Sequence, residues 1–239
     1  MLYLDIGRSV LLNKVEYSTS AWPDTSVSAT LAHRTRRAYD RMSRVYGFTT
    51  MLFHSRAHQC AVNSCGIRDG MEVLEVATGS GEMLHKLVRA NRNGSTFGVD
   101  LSPNMAALAQ RRVRRGFPKS FAPCQAVDAR QMPFRDGSFD AVVCCYLLEL
   151  LSADDIVRTV EEFHRVLRSR GKMALVMIGE DTAVFNRIYK VLGKVAPAFW
   201  GRQVEQRIPE LIEASDFRIL SDQVVRQVFY PSRVVVARK

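Results

Sequence analysis

The chain reads as an α/β protein built on a sheet of parallel strands with helices on both faces, and three observations carry that reading. Short apolar runs alternate with longer stretches of helical periodicity. A glycine-bearing turn, Ala77-Thr-Gly-Ser-Gly81, follows the first of these runs directly. Asp100 ends the second run, so the order strand, glycine turn, helix, strand, acid is that of a nucleoside-binding half.

Glu72 to Val76 is the first strand, and a helix beginning near Gly81 sets Met83, Leu84, Leu87 and Val88 on one apolar stripe. Thr96 to Val99 is the second strand. Ser102 is an N-cap with Pro103 at the first helical position; that helix turns Met105, Leu108 and Ala109 to the sheet and ends in Arg111, Arg112, Arg114 and Arg115, whose charge complements its dipole. Cys124 to Val127 and Ala141 to Cys145 are the third and fourth strands. Ser152 with Asp155 has the form of a capping box opening a helix through Val160, Phe163, Val166 and Leu167. Gly171 leads into a fifth strand, Lys172 to Ile178. Runs this apolar imply a parallel sheet covered on both faces, with ligands at the carboxyl ends of the strands.

Ahead of this core, residues 1 to about 27 are mixed in composition and contain Pro23, as an arm with little regular structure does. Tyr39, Met42, Tyr46, Leu52, Phe53, Ala57 and Ala61 then recur at three- and four-residue steps, which predicts helices forming a lid. The expected organisation is an arm and helical lid over residues 1–68 and a core over 69–239, with a helical insertion at 181–205. Val184, Phe185, Ile188, Tyr189, Phe199 and Trp200 make that insertion apolar enough to cover a lipophilic acceptor, to build a homodimer surface or to pack on the core.

A chain of 239 residues fits one domain with a cap. Its net charge of +10 is most simply a solvated surface. It also favours a phosphate-bearing substrate or transient contact with an anionic membrane, while no nucleic-acid partner is expected. Five cysteines, an odd number, describe no disulfide scaffold and point to a reducing cytoplasm. Adjacent Cys144 and Cys145 face opposite ways in a strand, and Cys60 and Cys65 lack a second close pair, so no metal is expected. Asp5 and the absence of a basic segment before an apolar run speak against a secretory signal, and the run from Ala141 to Leu151 is too short to span a bilayer.

Gly79 and Gly81 permit a tight turn and close approach of backbone to ligand. Asp100 can accept both hydroxyls of a ribose, or cap the helix behind Ser102. Glu75, at the end of the first strand, would repel a pyrophosphate but pair with a cationic amino-acid ligand. Leu84 stands where a dinucleotide fingerprint has its third glycine. A nucleoside bearing an amino acid fits this set better than a dinucleotide.

These residues resemble class I S-adenosylmethionine-dependent methyltransferases, and more narrowly the ubiquinone and menaquinone biosynthesis methyltransferases. Val73-Leu-Glu-Val-Ala-Thr-Gly-Ser-Gly81 is similar to the first motif, with Ala77 at a position where many members have glycine. Gly98-Val-Asp-Leu-Ser-Pro-Asn-Met105 is similar to the second, and Pro133-Phe-Arg-Asp-Gly-Ser-Phe-Asp140 to the segment before the fourth strand. The resemblance implies a Rossmann-like seven-stranded sheet flanked by helices, with an N-terminal helical lid. It implies S-adenosyl-L-methionine held by Glu75, Ala77, Gly79, Ser80 and Gly81. Asp100 would bind ribose, Leu101 and Met105 pack on adenine, Asp128 and Ala129 contact its amino group and ring, and Cys145 and Tyr146 line the methionine side. Tyr39 resembles the family's lid tyrosine. Ser43, Arg168-Ser-Arg-Gly171 and Tyr230-Pro-Ser-Arg233 depart from the quinone group.

The implied reaction is in-line methyl transfer to a small aromatic or lipophilic acceptor, with quinone precursors and phospholipid head groups as alternatives. His54 and His58, one helical turn apart, are the candidate bases where the acceptor must lose a proton. A methyltransferase of RNA or protein lacks the Asn-Pro-Pro-Tyr or Asp-Pro-Pro-Tyr segment here; a nicotinamide oxidoreductase or a silent adenosylmethionine-binding protein completes the set.

Overall fold

In a computed structural model, described over residues 55–179, 208–227 and 230–239, the chain forms a seven-stranded sheet in the order β3-β2-β1-β4-β5-β7-β6. Its strands are β1 (Glu72–Val76), β2 (Ser95–Asp100), β3 (Cys124–Ala126), β4 (Phe139–Cys145), β5 (Leu167–Ile178), β6 (Arg218–Val225) and β7 (Ser232–Arg238). The first five run parallel, and β7 lies antiparallel between β5 and β6. The strand order reverses between β1 and β4, which puts the switch point beside the glycine turn.

Each central strand sends alternate side chains into two different cores, as the strand period requires. Leu74, Val142, Cys144, Met173, Leu175 and Val235 pack on one face with α4 (Ala153–Val166) and α5 (Ile208–Ala214). Val73, Ala141, Val143, Ala174, Val176 and Val236 pack on the other, under α2 (Glu82–Ala90) and the helix α1 over 55–65. α3 (Pro103–Gly116) lies beside α2, sharing Leu84, Val88, Ala109 and Val113. Cys144 and Cys145 enter opposite faces, as the alternation predicts.

Several expectations shift. α1, anticipated as the end of the lid, is a layer of the core: Ala57, Ala61, Val62 and Cys65 are buried on the sheet. Its apolar stripe was legible, but a stripe does not say what it covers. The remainder of the anticipated lid, with Tyr39 and His54, and the insertion at 181–205 lie outside the described residues. On α3 the buried positions are Met105, Ala106, Ala109 and Val113, while Leu108 is only partly buried. β4 starts earlier because Phe139 fills an edge-to-face aromatic cluster with Phe97 and Phe134. β5 starts earlier too, since Leu167 pairs with Phe139 across a register shift. Only half of the capping box forms. Ser152 Oγ accepts the Asp155 N–H at 3.2 Å, whereas the Asp155 carboxylate accepts from Arg130 at 3.0 Å.

A second buttress is Arg165 on α4. Its guanidinium donates to the carbonyls of Met132 and Phe134 at 2.9 and 2.6 Å while pairing with Glu162 and Asp136. This planar fork fixes the 132–136 segment that enters β4. Among the described residues no helix is long and apolar enough to cross a membrane, and no cluster of His, Cys, Asp and Glu could hold a metal.

Candidate functional site

The chain leaves β1 at Val76 and folds back over the tip of β2, where Ala77 and Thr78 donate their N–H groups to Val99 O at 2.8 and 3.1 Å. Ala77, Gly79 and Gly81 all take positive φ, at 63°, 49° and 76°. Left-handed backbone costs an L-residue roughly 1–2 kcal/mol, which is why glycine suits two of these places and why Ala77 marks a strained one. An added Cβ at Gly79 would meet nothing within 4 Å among the described residues, whereas one at Gly81 would stand 2.6 Å from Ala109 Cα, the point where the turn touches α3.

Asp100 closes the turn from below. Its carboxylate accepts the Gly79 N–H at 2.8 Å and the Ser102 N–H at 2.9 Å. Ser102 in turn caps α3 by accepting the Met105 N–H at 3.2 Å. The helix-entry role foreseen for Asp100 is therefore present, with its carboxylate at the β2 tip beside the glycine turn. Leu101 beside it is 37% exposed and able to pack on a planar ligand, while Met105 is 1% exposed and closed off from such contact by its place in the core.

Glu75 lies buried at the carboxyl end of β1, on the α1 and α2 side of the sheet. Its Oε2, with Thr78 Oγ1 and Glu82 Oε2, is buried with no hydrogen-bond partner among the described residues. Burial, then the charges of Asp100 and Glu82, push the Glu75 carboxyl well above the usual range. Glu82 is raised as well, chiefly by burial. Two buried carboxyls and a hydroxyl around one turn form an acceptor-rich seat suited to an ammonium group, which would pull such carboxyls back toward ionisation.

Glu75 carries a pH prediction. Its folded-state pKa exceeds the unfolded value, so its contribution to stability is complete below the unfolded carboxylate range and is lost as pH rises through the raised value. The unliganded protein should lose thermal stability across that rise, and Glu75→Gln should flatten the loss; melting temperature against pH reads both.

Ser80 is buried, with Arg112 Nη1 donating to its hydroxyl at 3.4 Å. Asp128, just past β3, is gripped by Arg130: Nε and Nη2 donate to its carboxylate at 3.0 and 2.6 Å, and the Arg130 N–H adds a bond of 2.9 Å. Burial alone would raise Asp128, but the Arg130 bonds and charge outweigh it and hold the carboxyl below its ordinary value. Ala129 packs partly buried against the core. Val127 N–H donates to Asp100 O at 2.9 Å, so these two carboxyl-end loops are tied together.

Past β4, Cys145 and Tyr146 pack on the same face as Glu75. Burial, then neighbouring Glu75, pushes the Cys145 thiol well above its ordinary value. His58 is buried on α1, its ring centroid 6.1 Å from that of Tyr146. Glu149 accepts the Ile178 N–H at 2.7 Å and ties the turn after β4 to the end of β5. Arg130, Thr78 and Glu82 had no local signal of function, since each acts through partners set by the fold. The turn, Asp100, Asp128, Cys145 and Tyr146 thus gather at the carboxyl ends of β1 to β4.

Residues 73–171 match the methyltransferase-domain family. The chain is 28% identical over 181 residues to the ubiquinone/menaquinone biosynthesis C-methyltransferase of Citrifermentans bemidjiense, covering 73% of this chain and 75% of that one. It is 28% identical over 151 residues to a 2-phytyl-1,4-naphthoquinone methyltransferase of Nostoc, covering 61% of this chain and 65% of that one. The fold matches a Burkholderia thailandensis 1,6-didemethyltoxoflavin N1-methyltransferase with a TM-score of 0.66 at 17% identity, over 92% of this chain and 93% of that one.

The seven-stranded fold is that of the class I S-adenosylmethionine-dependent methyltransferases, and residues 73–171 match a methyltransferase domain. Within that class the chain resembles the ubiquinone/menaquinone biosynthesis methyltransferases and the demethylmenaquinone methyltransferases.

Proposed function

We propose that this enzyme methylates a small, lipophilic aromatic acceptor of the quinol type. The observation that carries the reading is the pairing of an acceptor-rich seat at Glu75, Thr78 and Glu82 with an aromatic-lined opposite half at His58 and Tyr146. One relative is named for ubiquinone and menaquinone biosynthesis and another as a methyltransferase of 2-phytyl-1,4-naphthoquinone. Gly79, Ser80 and Gly81 with Ala77 form the backbone cradle for S-adenosyl-L-methionine, and Glu75 receives its ammonium group. Asp100 receives the ribose hydroxyls, Leu101 covers adenine, and Asp128 with Ala129 borders its edge. Cys145 and Tyr146 line the methionine side. Of the proposed arm and lid over residues 1–68, the part that holds Tyr39 and His54 lies outside the described residues, and α1 packs in the core.

When bound, adenosylmethionine supplies a methyl group on a sulfonium: the acceptor's electron pair forms the new bond to that carbon as the carbon–sulfur bond breaks, and sulfur keeps the pair as a neutral thioether. The protein's part is alignment and exclusion of water. His58 takes the proton that a hydroxylated acceptor sheds. His58→Ala should then lower turnover at least about tenfold, in line with general-base contributions, while leaving cofactor affinity near that of the wild type and removing a limb of the pH–rate profile. Unchanged turnover and pH dependence would exclude the role.

The basic surface suits transient contact with an anionic membrane, from which a lipophilic acceptor is drawn by a cytoplasmic enzyme. A homodimer through the 181–205 segment is compatible with its apolar composition, and no nucleic-acid partner is proposed. Calorimetric titration with adenosylmethionine and NAD side by side, followed by labelled methyl transfer to quinols, simple phenols and phospholipids, tests the reading. Binding of NAD alone would overturn it; transfer to phospholipid alone would overturn the aromatic acceptor.

A further inference from the structure

The carboxyl end of the sheet divides into two halves. Over β1, β2 and β3 lie the glycine turn, Asp100 and Asp128; over β4, β5 and β7 lies Tyr146. Its backbone has φ 55°, a region that bulky residues rarely adopt. Its N–H donates to Val176 O at 2.8 Å and extends the β4–β5 ladder by one residue. From there the side chain reaches past the end of β5, so that its hydroxyl shares a hydrogen bond of 2.7 Å with Ser232 Oγ, at the first residue of β7. Gln227 Nε2 donates to both hydroxyls, at 3.2 and 2.6 Å.

Ser232 is fully buried, whereas Tyr146 remains partly exposed. The ring is thereby held at both ends, by a ladder bond at its backbone and by a three-membered polar triangle at its tip. A strained backbone persists only where its surroundings over-determine it, and this triangle, drawn from the far end of the chain, does so. The His58 ring stands beside it, tilted by 47°. The arrangement is a fixed aromatic ring just past β4, beyond the strands that carry the nucleoside residues, with the His58 imidazole beside it.

We propose that the Tyr146 ring is the platform on which a planar, oxygen-bearing aromatic acceptor lies, and that Ser232 and Gln227 are positioning residues that fix the ring's plane. The proposal rests on the reading of the acceptor as aromatic. Offset stacking orients a planar acceptor, and a fixed ring does so without losing side-chain freedom on binding.

The test uses the full chain, labelled adenosylmethionine and 1,4-dihydroxynaphthalene as the acceptor probe, with Tyr146→Phe, Ser232→Ala and the double variant. Each single variant should raise the probe's KM about five- to tenfold, the scale of one aromatic contact weakened by disorder, with a smaller fall in kcat. Because both remove the same hydrogen bond, the double variant should be no worse than either single one. Adenosylhomocysteine affinity should stay within about twofold in Ser232→Ala, since the cradle lies over other strands, and Tyr146→Leu should exceed Tyr146→Phe in its effect on KM. Additive effects, an unchanged KM, or an equal loss of adenosylhomocysteine affinity would assign the triangle to the fold alone. Should the wild type methylate a simple phenol and not the naphthalenediol, the quinol reading falls and the same variants on that phenol decide the platform. Should it bind neither in the presence of adenosylhomocysteine, the platform falls while the cofactor reading stands.

Discussion

Asp100→Ala is expected to weaken adenosylmethionine binding by about 1.5–3 kcal/mol, the scale of hydrogen bonds to a charged group, or roughly 10- to 150-fold in Kd. Two contributions are folded into that loss. The carboxylate is the proposed acceptor for the ribose hydroxyls, and it also holds the turn by accepting the Gly79 N–H while receiving the Ser102 N–H at the head of α3. They separate with a second ligand. A 2′-deoxyribose analogue of adenosylhomocysteine should bind the wild type less tightly than adenosylhomocysteine does, and Asp100→Ala should erase most of that difference if the carboxylate meets the ribose. If it acts only through the turn, both ligands weaken in parallel and their difference survives. Calorimetry on the two ligands and two proteins closes the cycle, and far-ultraviolet circular dichroism should show the sheet intact. Near-wild-type affinity in the variant would remove Asp100 from the site.

The five parallel strands were legible because burial on both faces forces a near-continuous apolar run, and such runs are local in sequence. The glycine turn was legible for a related reason: positive φ at residues 79 and 81 selects glycine. What escaped is what depends on distant partners. Tyr146 meets Ser232 across 86 positions, Arg165 reaches the Phe134 carbonyl across 31, and neither contact leaves a period or spacing behind. α1 was read as lid because its stripe of Ala57, Ala61 and Cys65 announces that something is covered without saying what. Met105 was expected on adenine because the second motif places it one turn past Asp100, but a helix that starts with a capped Pro103 turns that position inward onto the sheet. Asp128 shows the opposite case. Its position was readable, while the Arg130 grip that lowers its acidity range and occupies much of its acceptor capacity was not.

Gly81→Ala should be the most damaging small substitution in the turn, and Gly79→Ala supplies its internal control. At Gly81 the new methyl carbon would sit 2.6 Å from Ala109 Cα and 2.8 Å from its Cβ, on a backbone with φ +76°. Left-handed strain of about 1–2 kcal/mol adds to overpacking of about 1–3 kcal/mol, because the obstacle is helix backbone that cannot swing aside. A loss of about 2–5 kcal/mol should lower the melting temperature by roughly 5–15 °C for a domain of this size. At Gly79 the φ of +49° imposes the strain alone, with no atom of the described residues within 4 Å of the added carbon. The fold should therefore lose only about 1–2 kcal/mol, yet the methyl group would occupy the open side of the cradle where a nucleoside backbone must approach. The two alanines should thus separate along different axes: Gly81→Ala mainly in melting temperature, Gly79→Ala mainly in adenosylmethionine affinity measured well below its melting point. A Gly79→Ala protein with unchanged affinity would mean that the open side of the turn is not where the cofactor lies, and the candidate site would have to move with it.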